Sequence, residues 1–399
     1  MKKLVVAMMG LPAMGKSTTA QKLEEQFNRE GLKAKIFNNG RLRRKLAPGT
    51  HHHDFYNPGN KEGKATREKI ADIAIEHAKE FLVKGQVAIL DATNVTKKRR
   101  EKIASEFKDI PIVFVECING DKALVSQSIA QKTKLNEFRE LNYEEAYKSF
   151  EKRIDYYRAL YSRLEEERNY IILDSLNNRI IKSHFRDNIP FFSFLRDSLV
   201  SDRVKNLFLV RHGETVYNTE DRIGGDSPLT KQGIKQALNL GNHFKDIQIP
   251  YIFTGPLQRT IDTAEKIREQ QDKCKIIQMD EFREINAGIC EEMTYDEVKK
   301  KMPEVFVTRY ADKYNYVYPD GESYRTMYNR VKRGLKKALF LAGNSSTFMI
   351  VGHQAVNRII LSYFLYRRKE DIPFTYIPQD KYFHIISTQD KKSLELVRF

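Results

Sequence analysis

Arg211-His212-Gly213-Glu214 follows the apolar run 206–210 directly, so an imidazole stands at a strand end beside a guanidinium. A neutral imidazole attacks phosphorus well when nearby cations offset the phosphate charge. Arg259, Glu284 and His353 come from far along the chain, and His353 follows a second apolar run, 347–351. Arg211, Arg259 and His353 can surround the oxygens of a transferring phosphoryl group. Glu284 can protonate the leaving oxygen and then activate water, chemistry that calls for no cofactor. Any one of these residues is more often structural. The tetrapeptide, Asn218 and the second strand ending in histidine are together far more specific.

The N-terminal half carries a different phosphate device. Gly10-Leu11-Pro12-Ala13-Met14-Gly15-Lys16-Ser17 fits the phosphate-binding loop pattern, with an apolar run before it and an amphipathic stretch after it. Gly10 and Gly15 let backbone N–H groups turn around phosphate oxygens, and the helix N-terminus adds its positive dipole end. Lys16 is expected to bridge the terminal phosphates of a nucleotide, and Ser17 to hold Mg²⁺. The run 86–90 ends in Asp91, which could bind Mg²⁺ or take the proton of an attacking hydroxyl. Arg43, Arg44, Lys97, Arg99, Arg100, Lys132 and Arg153 are candidates for an anionic acceptor; for each, a solvated surface role is as good a reading.

These residues need a scaffold, and the chain reads as two α/β series that change near residue 200. Apolar runs at 3–9, 34–37, 86–90, 111–116 and 170–173 alternate with amphipathic stretches, the pattern of a mainly parallel sheet flanked by helices. A second series has strands at 206–210, 250–253, 275–278, 347–351 and 382–387. The expected domains are 1–200 and 205–399. Residues 16–30 predict a helix stopped by Gly31, and 139–168 a long charged helix. Residues 175–204 read as a short helix or linker packed between the halves. His51-His52-His53 reads as loop rather than metal site.

Composition bounds the function. The 399 residues are 41% hydrophobic and 31% charged, without an apolar run long enough to span a bilayer. Three cysteines without ligand spacing, Cys117, Cys274 and Cys290, suit a reducing cytoplasm. The net charge of +16 admits nucleic acid, but no nucleic-acid motif accompanies it, so phosphorylated small molecules are the preferred partners. The oligomeric state is left open, a homodimer among its options.

A phosphate-binding loop followed by a phosphohistidine signature resembles the 6-phosphofructo-2-kinase/fructose-2,6-bisphosphatase family across nearly the whole chain. Arg222-Ile223-Gly224-Gly225-Asp226-Ser227, the stretch from Glu284 to Tyr295, Tyr318-Pro319-Asp320-Gly321-Glu322-Ser323-Tyr324 and the stretch from His353 to Arg358 carry the likeness. The resemblance implies a kinase of phosphate-binding-loop fold followed by a phosphoglycerate mutase-like phosphatase. It implies His212 as the phosphorylated residue and Glu284 as the acid, with Arg211, Asn218, Arg259 and His353 on the transferred phosphate. Ile223, Gly224, Tyr295, Arg309, Lys313, Tyr324, Gln354 and Arg358 are implied to hold the sugar and its 6-phosphate. In the kinase half, where the match is looser, Thr93, Arg153 and Tyr157 are implied to bind fructose 6-phosphate, with Lys132 near the transferring phosphate. ATP with Mg²⁺ would serve that half.

Asn57 and Lys97 stand where the family often has arginine. Losing bidentate contacts leads us to expect weak fructose 6-phosphate binding or another acceptor. The chain starts near its first strand and ends near its last, so control through a terminal extension is not expected. Two rival readings are a phosphatase with an inactive nucleotide-binding half, and a nucleic-acid end-processing enzyme.

Overall fold

Every residue of Leu4–Met9 (β1) is buried, as a strand covered on both faces requires. In the computed structural model it is central to a six-stranded sheet. Its partners are Ala34–Asn38 (β2), Val87–Asp91 (β3), Ile112–Ile118 (β4), Asn169–Asp174 (β5) and Arg179–Phe185 (β6), in the order β2-β3-β1-β4-β5-β6. The structure describes residues 1–399 except 51, 134–137, 139, 140, 344, 346 and 366. All pairings in this sheet are parallel except β5 with β6. Alternation along β1 splits the core. Leu4, Val6 and Met8 pack with Leu23 and Phe27 of the helix Lys16–Arg29, whereas Val5, Ala7 and Met9 pack with Ala74, Ile75 and Ala78 of the helix Lys61–Leu82.

A second six-stranded sheet is built from Val204–Arg211 (β7), Tyr251–Thr254 (β8), Lys275–Gln278 (β9), Thr347–Gly352 (β10), Lys381–Ser387 (β11) and Lys392–Arg398 (β12), in the order β12-β11-β7-β10-β8-β9. The β7-β10-β8-β9 part is parallel, and β11 and β12 add an antiparallel edge. Phe208 and Val210 of β7 pack with Leu240, Phe244, Ala264 and Ile267. The chain divides into two compact units, Met1–Ser201 and Asp202–Phe399.

Three expectations change. Residues 175–204 hold the expected short helix, Phe192–Val200, but also the unforeseen strand β6; Leu195 and Leu199 of the helix share a core cluster with Ala20, Leu23 and Phe27. The long helix is Tyr143–Ala159 only, started by a capping box between Asn142 and Glu145. Beyond it the chain turns back, with Ser162 N–H donating to the Val95 carbonyl. The strand β12 was not foreseen, because most of its residues are exposed or half-buried and it offers no apolar run. Of the histidine triplet, His51 lies outside the described residues, while His53 opens a 3₁₀ turn, His53–Tyr56.

Arg100 ties the returning segment down. It is 2% exposed, pairs with Glu167 at 2.5 Å and donates to the carbonyls of Asn94, Ser162 and Arg163. A guanidinium so occupied is structural and not free for an acceptor. Arg100→Ala leaves Glu167 buried without its counter-charge, and we expect it to cost about 3–5 kcal/mol. Denaturant unfolding followed on the first unit measures this.

Candidate active sites

Strand register assembles the histidine site. Gly352 of β10 pairs with Arg211 of β7, so the residues after each strand, His353 and His212, emerge side by side. Their rings are 5.4 Å apart, at 62°. The Nδ1 of His212 lies 2.8 Å from the Gly213 carbonyl, an atom that can only accept, so Nδ1 carries the proton and Nε2 keeps its lone pair. Arg259, near the start of the helix Gln258–Arg268, brings Nε to 3.3 Å from that Nε2. Burial, then Arg259 and Arg211, hold the His212 imidazole well below its ordinary pKa, so it is neutral at pH 7. His353 is fully buried, its pKa is lowered chiefly by burial, and neither ring nitrogen has a hydrogen-bond partner. Nε of Arg211 is likewise unpartnered. Buried donors without partners are costly, and an anion among them would satisfy several at once. Gly255 leaves the room: a Cβ there would sit 2.8 Å from Nε2 of His353 and 2.7 Å from the Phe282 carbonyl.

Both carboxylate oxygens of Glu284 lie 3.2 Å from the Ala355 N–H, in the first turn of the helix Gln354–Leu365. The stretch carrying Glu284 is held by Arg330, which donates to the carbonyls of Glu281, Arg283 and Glu284 and pairs with Glu322. Asn218 accepts from Gln379, which also donates to the His212 carbonyl. Arg330 and Gln379 were not foreseen. Both act on backbone or on another side chain across long sequence separations, which no local spacing reveals.

A cationic pocket is built in the same unit. Arg358 donates to the Tyr324 hydroxyl at 2.9 Å, Arg309 lies 5.6 Å from the rings of Tyr295 and Tyr318, and Lys313 donates to the Pro373 carbonyl. Burial, then Arg309 and Arg358, bring Lys313 down to about 8. Ile223 is buried, and its carbonyl accepts from Glu292 N–H at 2.7 Å. Gly224 has φ +65°, and a Cβ there would overlap the Glu291 carboxylate. Gln354 is half-buried beside His353.

In the first unit, Met8 pairs with Asp91 across β1 and β3, which brings this carboxylate to the strand end that leads into the loop. Asp91 is buried and accepts from Asn38. Gly10 has φ +133°, and a Cβ there would lie 2.5 Å from the Cys117 carbonyl. Its N–H donates to the Thr93 carbonyl, and Gly15, at φ 79°, starts the helix of Lys16 and Ser17. Burial brings Lys16 down to about 8, opposed by Asp91 and reinforced by Lys132 and Arg153. These four groups therefore share one electrostatic neighbourhood. Ser17 is exposed. A glycine cradle, a hydroxyl and a buried carboxylate form a donor set that fits a nucleotide with Mg²⁺.

Arginines converge on Tyr56. The guanidinium of Arg153 is 4.0 Å from its ring centroid, and those of Arg43 and Arg67 are each 5.8 Å away. The Tyr157 ring is 5.9 Å from that of Tyr56, and Arg99 has Tyr157 among its electrostatic neighbours. Tyr56 and Arg67 were missed because a tyrosine in a loop and one cation on a charged helix give no signal. Of the other expected acceptor residues, Lys97, like Arg100, does not join this cluster. Lys97 is half exposed and pairs with Glu166, and its other charged neighbours are Glu101 and Glu167. Arg44 lies on an exposed part of the helix Asn39–Leu46. Asn57 accepts from Gly59 N–H in a local turn.

A 6-phosphofructo-2-kinase family model matches residues 1–194, and a histidine phosphatase superfamily (branch 1) model matches residues 207–398. The 6-phosphofructo-2-kinase/fructose-2,6-bisphosphatase 3 of Rattus norvegicus is 33% identical over 391 residues, covering 94% of this chain and 68% of the relative. The Aquarana catesbeiana 6-phosphofructo-2-kinase/fructose-2,6-bisphosphatase is 33% identical over 385 residues, covering 94% and 80%. Among solved structures, the alpha-ribazole phosphatase of Shigella flexneri covers 49% of this chain and 96% of its own at 22% identity, with a TM-score of 0.45. No helix among the described residues is long and apolar enough to cross a membrane.

Lys313 sets a pH dependence. With its pKa at about 8, it is charged below that pH and neutral above it. Affinity for a phosphorylated ligand of the second unit should therefore fall above pH 8, by up to about tenfold per pH unit for one linked proton. Lys313→Arg should flatten the profile, as measured by equilibrium binding between pH 7 and pH 9.5.

Proposed function

This chain belongs to the 6-phosphofructo-2-kinase/fructose-2,6-bisphosphatase family, and on that basis we propose that its two units make and break the same phosphate ester, at O2 of fructose 6-phosphate. The observation that carries the phosphatase reading is the His212 Nδ1 hydrogen bond to the Gly213 carbonyl, which leaves Nε2 as a buried, neutral nucleophile between two arginines.

In the phosphatase direction, Nε2 of His212 attacks the 2-phosphate of fructose 2,6-bisphosphate. The N–P bond forms as the bond from phosphorus to O2 breaks, and Glu284 delivers a proton to O2. Arg211, Arg259 and His353 bind the phosphoryl oxygens as charge shifts onto them. Water then attacks the phosphohistidine, Glu284 takes its proton, and inorganic phosphate leaves with His212 restored. Arg309, Lys313 and Arg358 hold the 6-phosphate, and Tyr295, Tyr324, Gln354, Ile223 and Gly224 position the sugar. Asn218 supports the phosphate side, fixed by Gln379.

In the kinase direction, the glycine loop and Lys16 hold ATP, and Lys132 lies on the path of the transferred phosphate. Mg²⁺ held by Ser17 and Asp91 would offset the phosphate charge. The 2-hydroxyl of fructose 6-phosphate attacks the terminal phosphorus as the bond from that phosphorus to the bridging oxygen breaks; ADP leaves, and the hydroxyl proton passes to the Asp91 carboxylate. Arg43, Arg67 and Arg153 around Tyr56 are the acceptor's 6-phosphate clamp, with Tyr157 and Thr93 on the sugar. Arg67 changes the arginine count on which the expectation of weak acceptor binding rested. Three free cysteines suit action in a reducing cytoplasm.

Fructose 2,6-bisphosphate labelled at the 2-phosphate should leave transient label on the wild type and none on His212→Ala. Glu284→Gln should slow turnover by about 10²–10⁴-fold. Release of unlabelled phosphate from the 6-position, with the label kept on the sugar, would sink the phosphatase assignment. For the kinase, Arg67→Ala should raise the KM for fructose 6-phosphate by about tenfold or more, the loss of one charged contact. Asn57→Arg should leave it nearly unchanged.

A further inference from the structure

The turn that carries Tyr56 begins with His52, His53 and Asp54, which neither catalytic proposal uses. Their candidate ligand atoms all lie within 4.8 Å of one another. Nδ1 of His52 is 3.0 Å from one oxygen of Asp54, and Nε2 of His53 is 3.5 Å from the other. A tetrahedral Zn²⁺ site with bonds of about 2.0 Å has ligand–ligand edges of about 3.3 Å, so atoms already within 4.8 Å of one another need to close by about 1.5 Å at most. The imidazole ring centroids are 4.0 Å apart with the planes tilted by 41°, a closeness that two protonated rings would resist.

The His53 ring is also held from behind. Its Nδ1 is 3.4 Å from Oγ of Ser149, which in addition accepts from the His53 backbone N–H at 3.1 Å, so Nε2 is turned toward Asp54. Ligating histidines are commonly fixed through their other ring nitrogen in this way. Nδ1 of His52 accepts from the Asp54 N–H at 3.4 Å, a long contact that a metal bond would replace. Exposed side chains of His52 and Asp54 leave an entry path and room for a water as fourth ligand.

We propose that His52, His53 and Asp54 form a Zn²⁺ site that tightens the kinase unit's grip on its phosphorylated acceptor. The ion fixes the turn whose next residues carry Tyr56, against the helix Tyr143–Ala159 that carries Ser149, Arg153 and Tyr157. It also replaces the local negative charge of Asp54 with net positive charge. Both effects favour an acceptor dianion and leave the transferring groups untouched. The acceptor effect rests on the kinase reading above; the metal site does not.

The metal-stripped full chain is titrated with Co²⁺, read by visible absorption, and with Zn²⁺ against a chromogenic chelator. His52→Ala and Asp54→Asn are titrated alongside, with His212→Ala to account for any ion taken by the buried histidine pair. One ion per chain with tetrahedral Co²⁺ bands, lost in both turn variants and kept in His212→Ala, is the expected result. At fixed free Zn²⁺, the KM for fructose 6-phosphate should drop about threefold in the wild type, with kcat unchanged and no drop in His52→Ala. Equal metal binding by wild type and His52→Ala would overturn the site, and a lost ion with an unmoved KM would overturn the coupling. If the chain phosphorylated no fructose 6-phosphate at all, the kinase reading would fail, while the Co²⁺ spectrum would still decide the metal site.

Discussion

Gly352 pairs with Arg211 and Met8 pairs with Asp91, and each site exists because a parallel ladder brings two such strand ends to one edge of its sheet. In a parallel sheet the chain leaves every strand in the same direction, so residues more than a hundred positions apart can meet without any local motif joining them. A one-residue slip in β7 against β10 would turn every side chain of the strand to the opposite face and separate His212 from His353. The register is protected by burial: Val210 and Val351 are both within the core. Asn357 reinforces it, spanning from the helix after β10 to the Val210 carbonyl.

The same burial creates the chemistry. Removing His212 and His353 from water disfavours their charged forms, and the neighbouring arginines disfavour them further. An exposed histidine would be partly protonated at neutral pH and a poor nucleophile. The cost is a group of polar atoms without partners, tolerable only because a phosphoryl group can supply the acceptors. Lys313 and Lys16 follow the same logic, burial bringing the pKa of each ammonium group down to about 8.

What could be read in the sequence follows from how strongly each feature is expressed locally. Apolar runs at 3–9, 86–90, 206–210 and 347–351 marked strands correctly because double-sided burial leaves them no polar positions. The edge strands β6 and β12 carried charges and escaped. Lys16, His212 and His353 could be singled out as candidates because each lies in a contiguous motif at a strand end. Residues that work through a distant partner were not: Arg67 faces Tyr56 from another element, Gln379 bridges His212 and Asn218, and Arg330 reaches three carbonyls. Lys97 and Arg100 looked alike in one basic run, yet one is solvated and the other is buried in an ion pair.

Gly255 shows what such closeness implies over evolutionary time. With no room for even a methyl group against His353 and the Phe282 carbonyl, this position offers no neutral first step toward any other residue. A change there must coincide with a compensating shift in the wall it touches. Lineages carrying this site should therefore drift at the pocket rim, where side chains select the substrate, and stay frozen around the paired imidazoles. The phosphoryl chemistry is then inherited as a block, while the identity of the sugar remains open to selection.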